Sequence, residues 1–126
     1  MKILLDAMGG DNAPDANIKG AVQAINKVKA EVVLVGKEEV IRSKIKEFYG
    51  REIEEISDRL KIRNATETIE MEDQPTVAIR HKKDSSMVVG FKMLKEDEGD
   101  VFISAGNSGA LLTRSNVNSR ENKRNR

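Results

Sequence analysis

The sequence contains no cysteine and no tryptophan, and only three phenylalanines and one tyrosine among its 126 residues. The absence of cysteine excludes disulfide bonds, zinc sites with thiolate ligands and a thiol nucleophile. The low aromatic content leaves few platforms on which nucleic-acid bases stack. No apolar run approaches membrane-spanning length, and the chain opens on a strand pattern rather than on a signal peptide. We therefore expect a cytoplasmic protein.

Charged residues make up 34% of the chain and hydrophobic residues 38%, which is typical of a single helix-rich globular domain. The formal net charge of +1 is unevenly distributed. Residues 1–111 hold 17 basic and 20 acidic side chains, whereas residues 112–126 hold five basic and one acidic. A slightly acidic domain with a basic tail also fits a small nucleic-acid-binding protein, which we keep as an alternative.

Apolar runs and helical periodicity alternate along the chain, which predicts a β-α-β-α-β order with parallel strands and right-handed crossovers. Helices are expected after the first two strands, within residues 52–59, from Gln74 to about Lys82 and from Asp84 onward. Residues 66–73 are polar and acidic and indicate a loop. The predicted strands are Lys2–Asp6, Glu31–Gly36, Leu60–Asn64 and Asp100–Ala105.

The first predicted helix begins near Pro14, which suits a first helical turn, with Asp11 or Asn12 available as a capping side chain. Its helical spacing predicts a buried stripe formed by Ile18, Ala21, Val22, Ile25 and Val28. The second helix is expected to bury Val40, Ile41, Ile45, Phe48 and Tyr49.

Two glycine-rich turns follow predicted strands, at residues 8–12 (MGGDN) and at residues 104–110 (SAGNSGA). A turn of this kind, followed by a helix start, presents backbone N–H groups to an anion. Ordinary strand-to-helix turns also use glycine for packing, so both interpretations stay open on spacing alone. The chain has neither a Gly-x-x-x-x-Gly-Lys-Ser/Thr motif nor a Gly-x-Gly-x-x-Gly motif after its first strand, which argues against a nucleotide-binding enzyme.

Three blocks taken together are more specific: DAMGGDNAP at residues 6–14, RHKKDSSM at residues 80–87 and SAGNSGA at residues 104–110. In this order and spacing they resemble the N-terminal part of the bacterial phosphate acyltransferases of fatty acid and phospholipid synthesis. The resemblance covers residues 1–112, about the first third of a family chain.

The resemblance implies a Rossmann-like three-layer α/β/α fold with a mainly parallel sheet, related to isopropylmalate dehydrogenase-like and phosphotransacetylase-like proteins. It implies a homodimer that forms acyl phosphate from acyl-[acyl carrier protein] and inorganic phosphate, without a cofactor or a metal ion. The product would feed a membrane glycerol-3-phosphate acyltransferase. It further implies a cytoplasmic protein, with peripheral association at the inner face of the membrane for the full-length chain, and no nucleic-acid partner.

Attack of phosphate on a thioester requires an anion cradle, a cation and hydrogen-bond donors for the developing oxyanion. Asp6 and Asp11 would repel phosphate, so they fit loop positioning or proton acceptance better than direct contact. We assign catalytic roles to Asp6, Lys83, Ser86 and Asn107. We assign phosphate and substrate binding to Gly9, Gly10, Asp11, Asn12, Lys82, Ser85, Ser104, Gly106, Ser108 and Gly109.

Several of these residues also have a purely structural interpretation. The Ser85–Ser86 pair suits a helix cap, and two adjacent lysines are commonly a solvated pair. His81 is the only histidine and lies in a polar run, which favours the surface over a general base. Glu70, Glu72 and Asp73 fit a charged loop better than a metal site.

The tail, residues 113–126, contains one apolar residue, Val117, and no amphipathic period, so we expect it to be disordered. Permitted codons for residues 114–126, read one base later, encode Gly-Ala-Thr-Leu-Ile-Leu-Gly-Arg-Ile-Lys-Gly-Ile, which resembles the family continuation. We therefore hypothesise a frameshift near Leu112. A chain truncated there would leave an unpaired sheet edge and be an inactive fragment.

Overall fold

The centre of the protein is a five-stranded sheet with the strand order β3-β2-β1-β4-β5. The computed structural model describes residues 1–69, 77 and 80–104 and the backbone of residues 111–113. Strands β1 to β4 are mutually parallel, and β5 runs antiparallel to β4. The strands are β1 (Lys2–Asp6), β2 (Glu31–Gly36), β3 (Leu60–Asn64), β4 (Val101–Ile103) and β5 (Leu111–Thr113).

Helices cover both faces of this sheet. Three of them pack on one face: α1 (Asp15–Lys27), α2 (Glu38–Tyr49) and the short α3 (Ile53–Ile56). On the opposite face, the helix that the described residues provide is α4 (Ser86–Lys95). The Rossmann-like α/β class and the three-layer arrangement expected from the sequence are confirmed.

The core is divided by the alternation of strand side chains. Ile3, Leu5 and Leu34 face α1 and α2, whereas Leu4 and Val35 face α4. Successive strand residues point to opposite faces, so a central parallel strand needs apolar residues at nearly every position. This explains why β1 and β2 were recognisable as short continuous apolar runs.

Two details of the predicted α1 are wrong. Its N-cap residue is Pro14, and no side chain caps the helix, so neither Asp11 nor Asn12 has the expected role. Asn12 is linked to the helix through its backbone carbonyl oxygen, which accepts a hydrogen bond from the Ala16 N–H at 3.0 Å. At the other end, Val28 is the C-cap in extended conformation and is exposed rather than buried. The other four predicted stripe residues are buried.

The region after β4 also departs from the prediction. A helix was expected to follow residues 104–110, but the backbone of Leu111–Thr113 forms β5. The register pairs Ile103 with Leu111. The edge of β4 away from β1 is thus paired with β5. Residues 70–76, 78–79, 105–110 and 114–126 lie outside the described residues, and they include half of the predicted loop and nearly all of the predicted tail.

Gly90 of α4 packs tightly against Phe102 of β4, so a larger side chain at Gly90 should destabilise the fold. A Cβ atom on Gly90 would lie 2.3 Å from Cε1 of Phe102, whose side chain is fully buried. We expect Gly90→Ala to lower the free energy of unfolding by about 1–3 kcal/mol, because the aromatic ring must move within a filled core. Urea denaturation measures this change.

Gly20→Ala is the matched control, because a Cβ atom there would meet nothing within 4 Å in the part of the chain that the structure describes. In the middle of α1 it should raise the free energy of unfolding by about 0.5–1 kcal/mol. Equal stability of the two variants would contradict the packing described here.

Candidate functional site

The carboxylate of Asp6 is the point at which the three sequence blocks meet in space. Asp6 lies at the carboxyl end of β1 and is only 2% exposed. Its Oδ1 accepts hydrogen bonds from Ser86 Oγ at 2.6 Å and from the Met8 N–H at 3.0 Å. Its Oδ2 accepts from Ser104 Oγ at 2.8 Å. One side chain thus joins the end of β1, the start of α4 and the end of β4.

This arrangement satisfies a group that is otherwise costly to bury. An ionised carboxylate loses several kcal/mol of hydration in a protein interior unless donors replace the water. Hydrogen bonds to a charged acceptor are shorter and stronger than neutral ones, as the 2.6 Å contact to Ser86 illustrates. Asp6, Ser86 and Ser104 are therefore brought together as three of the predicted site residues.

Ser85 caps α4. Its hydroxyl accepts from the Val88 N–H at 3.2 Å, and the residue is fully buried. The preceding segment is tied to Glu67, whose N–H donates to the Asp84 carbonyl at 3.0 Å and whose carbonyl accepts from the Ser86 N–H at 3.1 Å. The structural interpretation of Ser85 as a cap is confirmed, and its part in phosphate binding stays a prediction.

Asn17 organises the first glycine-rich turn, and the sequence patterns did not reveal it. Its Nδ2 lies 3.1 Å from the carbonyl oxygen of Asp6, 3.0 Å from that of Ala7 and 2.8 Å from that of Gly9. These carbonyls belong to the turn that leaves β1, so one amide group holds the turn against α1. Asparagine is disfavoured in helix interiors but favoured near helix starts, so its place in the first turn of α1 gave no signal of this role.

The first glycine-rich turn itself contains four predicted binding residues. Gly9 is buried, whereas Gly10 has a φ of 95°, a backbone conformation that residues other than glycine rarely adopt. Asp11 and Asn12 are exposed. The turn therefore buries Gly9 and places two polar side chains in solvent.

The lysine pair before α4 is split between two environments. Lys82 Nζ donates to the carbonyl oxygen of Thr68 at 2.9 Å, and Lys83 is exposed. His81 is also exposed, as expected. Gly106, Asn107, Ser108 and Gly109, with Glu70, Glu72 and Asp73, lie outside the described residues, and their assignments stay predictions.

Asp84 forms an exposed clamp with Thr66. Its Oδ2 accepts from the Thr66 hydroxyl at 2.5 Å and from the Thr66 N–H at 3.1 Å. These bonds favour the ionised form and lower the pKa of the Asp84 carboxyl below its ordinary value, the hydroxyl contributing most. The clamp fixes the segment that leads into Ser85 and Ser86.

Two negative observations apply to the described part of the chain. No helix there has the length and apolar character to cross a membrane. No group of three or more aspartate, glutamate or histidine side chains there is arranged to hold a metal ion.

Removing one donor tests the bonding of Asp6. Ser104→Ala leaves the buried carboxylate with one fewer hydrogen bond, so we expect the free energy of unfolding to fall by about 1.5–3 kcal/mol. Urea denaturation provides the measurement. Ser43→Ala, on the exposed side of α2, is the control and should change stability by less than about 0.5 kcal/mol. A Ser104→Ala variant as stable as the control would show that the Asp6 bonds carry little free energy.

A carboxyl titration tests the Asp84 clamp. Thr66→Val removes the hydroxyl donor, so the pKa of Asp84 should rise toward its ordinary value, as followed by NMR of the side-chain carboxyl carbon. Because the pKa is depressed in the folded state, the clamp stabilises the fold above the unfolded-state pKa of about 3.9. That contribution is lost as the pH falls through the folded-state pKa.

Thr68→Val is the matched control, because the buried Thr68 Oγ1 has no hydrogen-bond partner among the described residues. Its Asp84 titration should equal that of the unsubstituted chain. An unchanged Asp84 pKa in Thr66→Val would rule out the hydroxyl as the cause of the shift.

Comparison with known proteins gives a consistent result. The sequence model of a family described as "Fatty acid synthesis protein" matches residues 1–124. A protein named phosphate acyltransferase from Acetivibrio thermocellus is 53% identical over 114 residues, which is 90% of this chain and 32% of the relative. Proteins of the same name from Clostridioides difficile and Thermoanaerobacter pseudethanolicus are 48% and 46% identical over 89% of this chain, covering 32% and 31% of those proteins.

The chain therefore spans about a third of the length of the curated relatives that it matches. The matched third is the N-terminal one. With nearly its whole length matched by the family's sequence model, the chain belongs to the fatty acid synthesis protein family.

Proposed function

We propose that this chain is the N-terminal part of a phosphate acyltransferase that forms acyl phosphate from acyl-[acyl carrier protein] and inorganic phosphate. One observation carries the proposal: the buried Asp6 carboxylate binds both Ser86 and Ser104. The three blocks of the resemblance thereby converge at the carboxyl ends of β1 and β4. Open α/β sheets bind their ligands at that edge.

The chemistry assigns a different task to each group. A phosphate oxygen attacks the thioester carbonyl carbon, the C–S bond breaks, and the carrier-protein thiolate leaves and takes up a proton. The backbones of Gly9 and Gly10, together with those of residues 106–109, would cradle the phosphate through their N–H groups. Lys83, which is exposed, would supply a cation.

Asp6 acts in this proposal as a positioning residue. Both of its carboxylate oxygens already accept hydrogen bonds from the protein, and its charge would repel phosphate. Holding Ser86 and Ser104 preorganises the surrounding turns, which is how an active site avoids reorganisation during the reaction. Asn17 has the same kind of task for the Gly9–Gly10 turn.

The remaining parts of the proposal concern the complete protein. We infer that it is a cytoplasmic homodimer that accepts acyl carrier protein, associates peripherally with the membrane and delivers acyl phosphate to a glycerol-3-phosphate acyltransferase. The 126-residue chain would be inactive alone, because two thirds of the length of its relatives lies beyond the matched region. The shared name of the relatives favours this function over the nucleic-acid-binding alternative.

A chimera tests the proposal. Residues 1–112 of this chain are fused to the part of the Acetivibrio thermocellus relative that follows its matched region. Acyl phosphate formed from palmitoyl-[acyl carrier protein] and inorganic phosphate is trapped with hydroxylamine. We expect activity in the chimera and none in the 126-residue chain. Robust product formation by the short chain would overturn the proposed inactivity.

Lys83→Ala in the chimera tests the proposed cation. Loss of a point charge at the phosphate should raise the KM for phosphate by about tenfold or more, equivalent to about 1.4 kcal/mol. Lys61→Ala, at an exposed position of β3, is the control and should leave the KM unchanged. The assignment of Lys83 fails if the two variants have the same KM for phosphate.

A further inference from the structure

One side-chain amide, that of Asn17, fixes the orientation of three peptide units in the first glycine-rich turn. Its Nδ2 donates to the carbonyl oxygens of Asp6, Ala7 and Gly9. An amide nitrogen carries two hydrogens, so at least one of them is shared between two of these carbonyls. The carbonyl groups of all three units are therefore directed at α1, on which Asn17 lies.

The N–H groups of the same three units point the other way. A peptide unit is planar and trans, so its N–H is directed away from its own carbonyl oxygen. Two of these N–H groups, those of Ala7 and Met8, donate within the protein at 2.9 Å and 3.0 Å. The third, that of Gly10, has no acceptor among the described residues. The Gly10 N–H is thus directed away from Asn17 and is left for a ligand.

The Gly9–Gly10 peptide unit is also the one most able to turn over. Glycine adopts positive and negative φ angles with similar ease, and Gly10 has a φ of 95°. A unit that turned over would present the Gly9 carbonyl oxygen where the Gly10 N–H now lies, and that oxygen would repel an anion. The bond from Asn17 to the Gly9 carbonyl, at 2.8 Å the shortest of its three, opposes this rotation.

We propose that Asn17 is a positioning residue for phosphate: by holding the Gly9 carbonyl, it keeps the Gly10 N–H directed at the bound anion. Backbone N–H groups that converge in a turn bind anions, provided that the peptide units keep their orientation. Asn17 acts through the turn and does not itself touch phosphate. The inference rests on the proposed function, because it takes inorganic phosphate as the ligand of this turn.

Asn17→Asp in the chimera described above tests the proposal. The introduced carboxylate has no hydrogen to donate and repels the Gly9 carbonyl oxygen, so the peptide unit should turn over. We expect the KM for phosphate, and the dissociation constant of inorganic phosphate measured by isothermal titration calorimetry, to rise at least about tenfold, as for the loss of one hydrogen bond to a charged ligand. The KM for palmitoyl-[acyl carrier protein] should stay unchanged. A purely structural role would lower the amount of folded enzyme and leave both phosphate constants unchanged.

Two further variants separate the lost donors from the added charge. Asn26→Asp adds the same charge at an exposed position of the same helix and should change neither phosphate constant. Asn17→Ala removes the donors without adding a charge and should also weaken phosphate binding, although less than Asn17→Asp does.

The proposal is overturned if Asn17→Ala binds phosphate as tightly as the unsubstituted chimera, whatever Asn17→Asp does, or if Asn26→Asp weakens binding as much as Asn17→Asp. Phosphate binding that follows the expected order in a chimera that forms no acyl phosphate would reject the proposed function and support the role of Asn17. An unsubstituted chimera that binds no phosphate would reject both.

Discussion

The burial of one carboxylate, that of Asp6, is the constraint on which the described part of the site depends. A charge removed from water must be compensated by donors, and here the donors come from three separate segments: the turn after β1, the start of α4 and the end of β4. Because Ser86 is 80 and Ser104 is 98 residues away in sequence, these bonds form only when the parallel sheet is assembled. The site and the fold are therefore stabilised together.

The sheet topology explains why the three segments are neighbours. Strands β1 and β4 are adjacent and parallel, so their carboxyl ends meet at one edge, and α4 begins beside them on one face. Asn17 then secures the turn after β1 from the other side, through α1.

Much of this architecture follows from local patterns in the sequence. The first three strands have the predicted bounds, because buried parallel strands are continuous apolar runs closed by turn residues. Predictions from local sequence patterns were wrong where contacts between distant segments determine the structure. Val28 has the spacing of the buried stripe but follows the last residue of α1, and β5 is defined by its pairing with β4. Asp6 and Ser86 were predicted as site residues from their motifs, and the structure brings them together. Asn17 acts through three carbonyl groups, which no residue pattern reveals.

The most direct test of the role of Asp6 is a double-mutant cycle with Ser86→Ala and Ser104→Ala, measured by urea denaturation. Both hydroxyls donate to the same carboxylate, so removing one changes the free energy of unfolding that the other contributes. We predict that the double variant departs from the sum of the single variants by at least about 0.5 kcal/mol. Additivity within about 0.3 kcal/mol would mean that the two serines act independently, and it would contradict the account of a shared buried carboxylate.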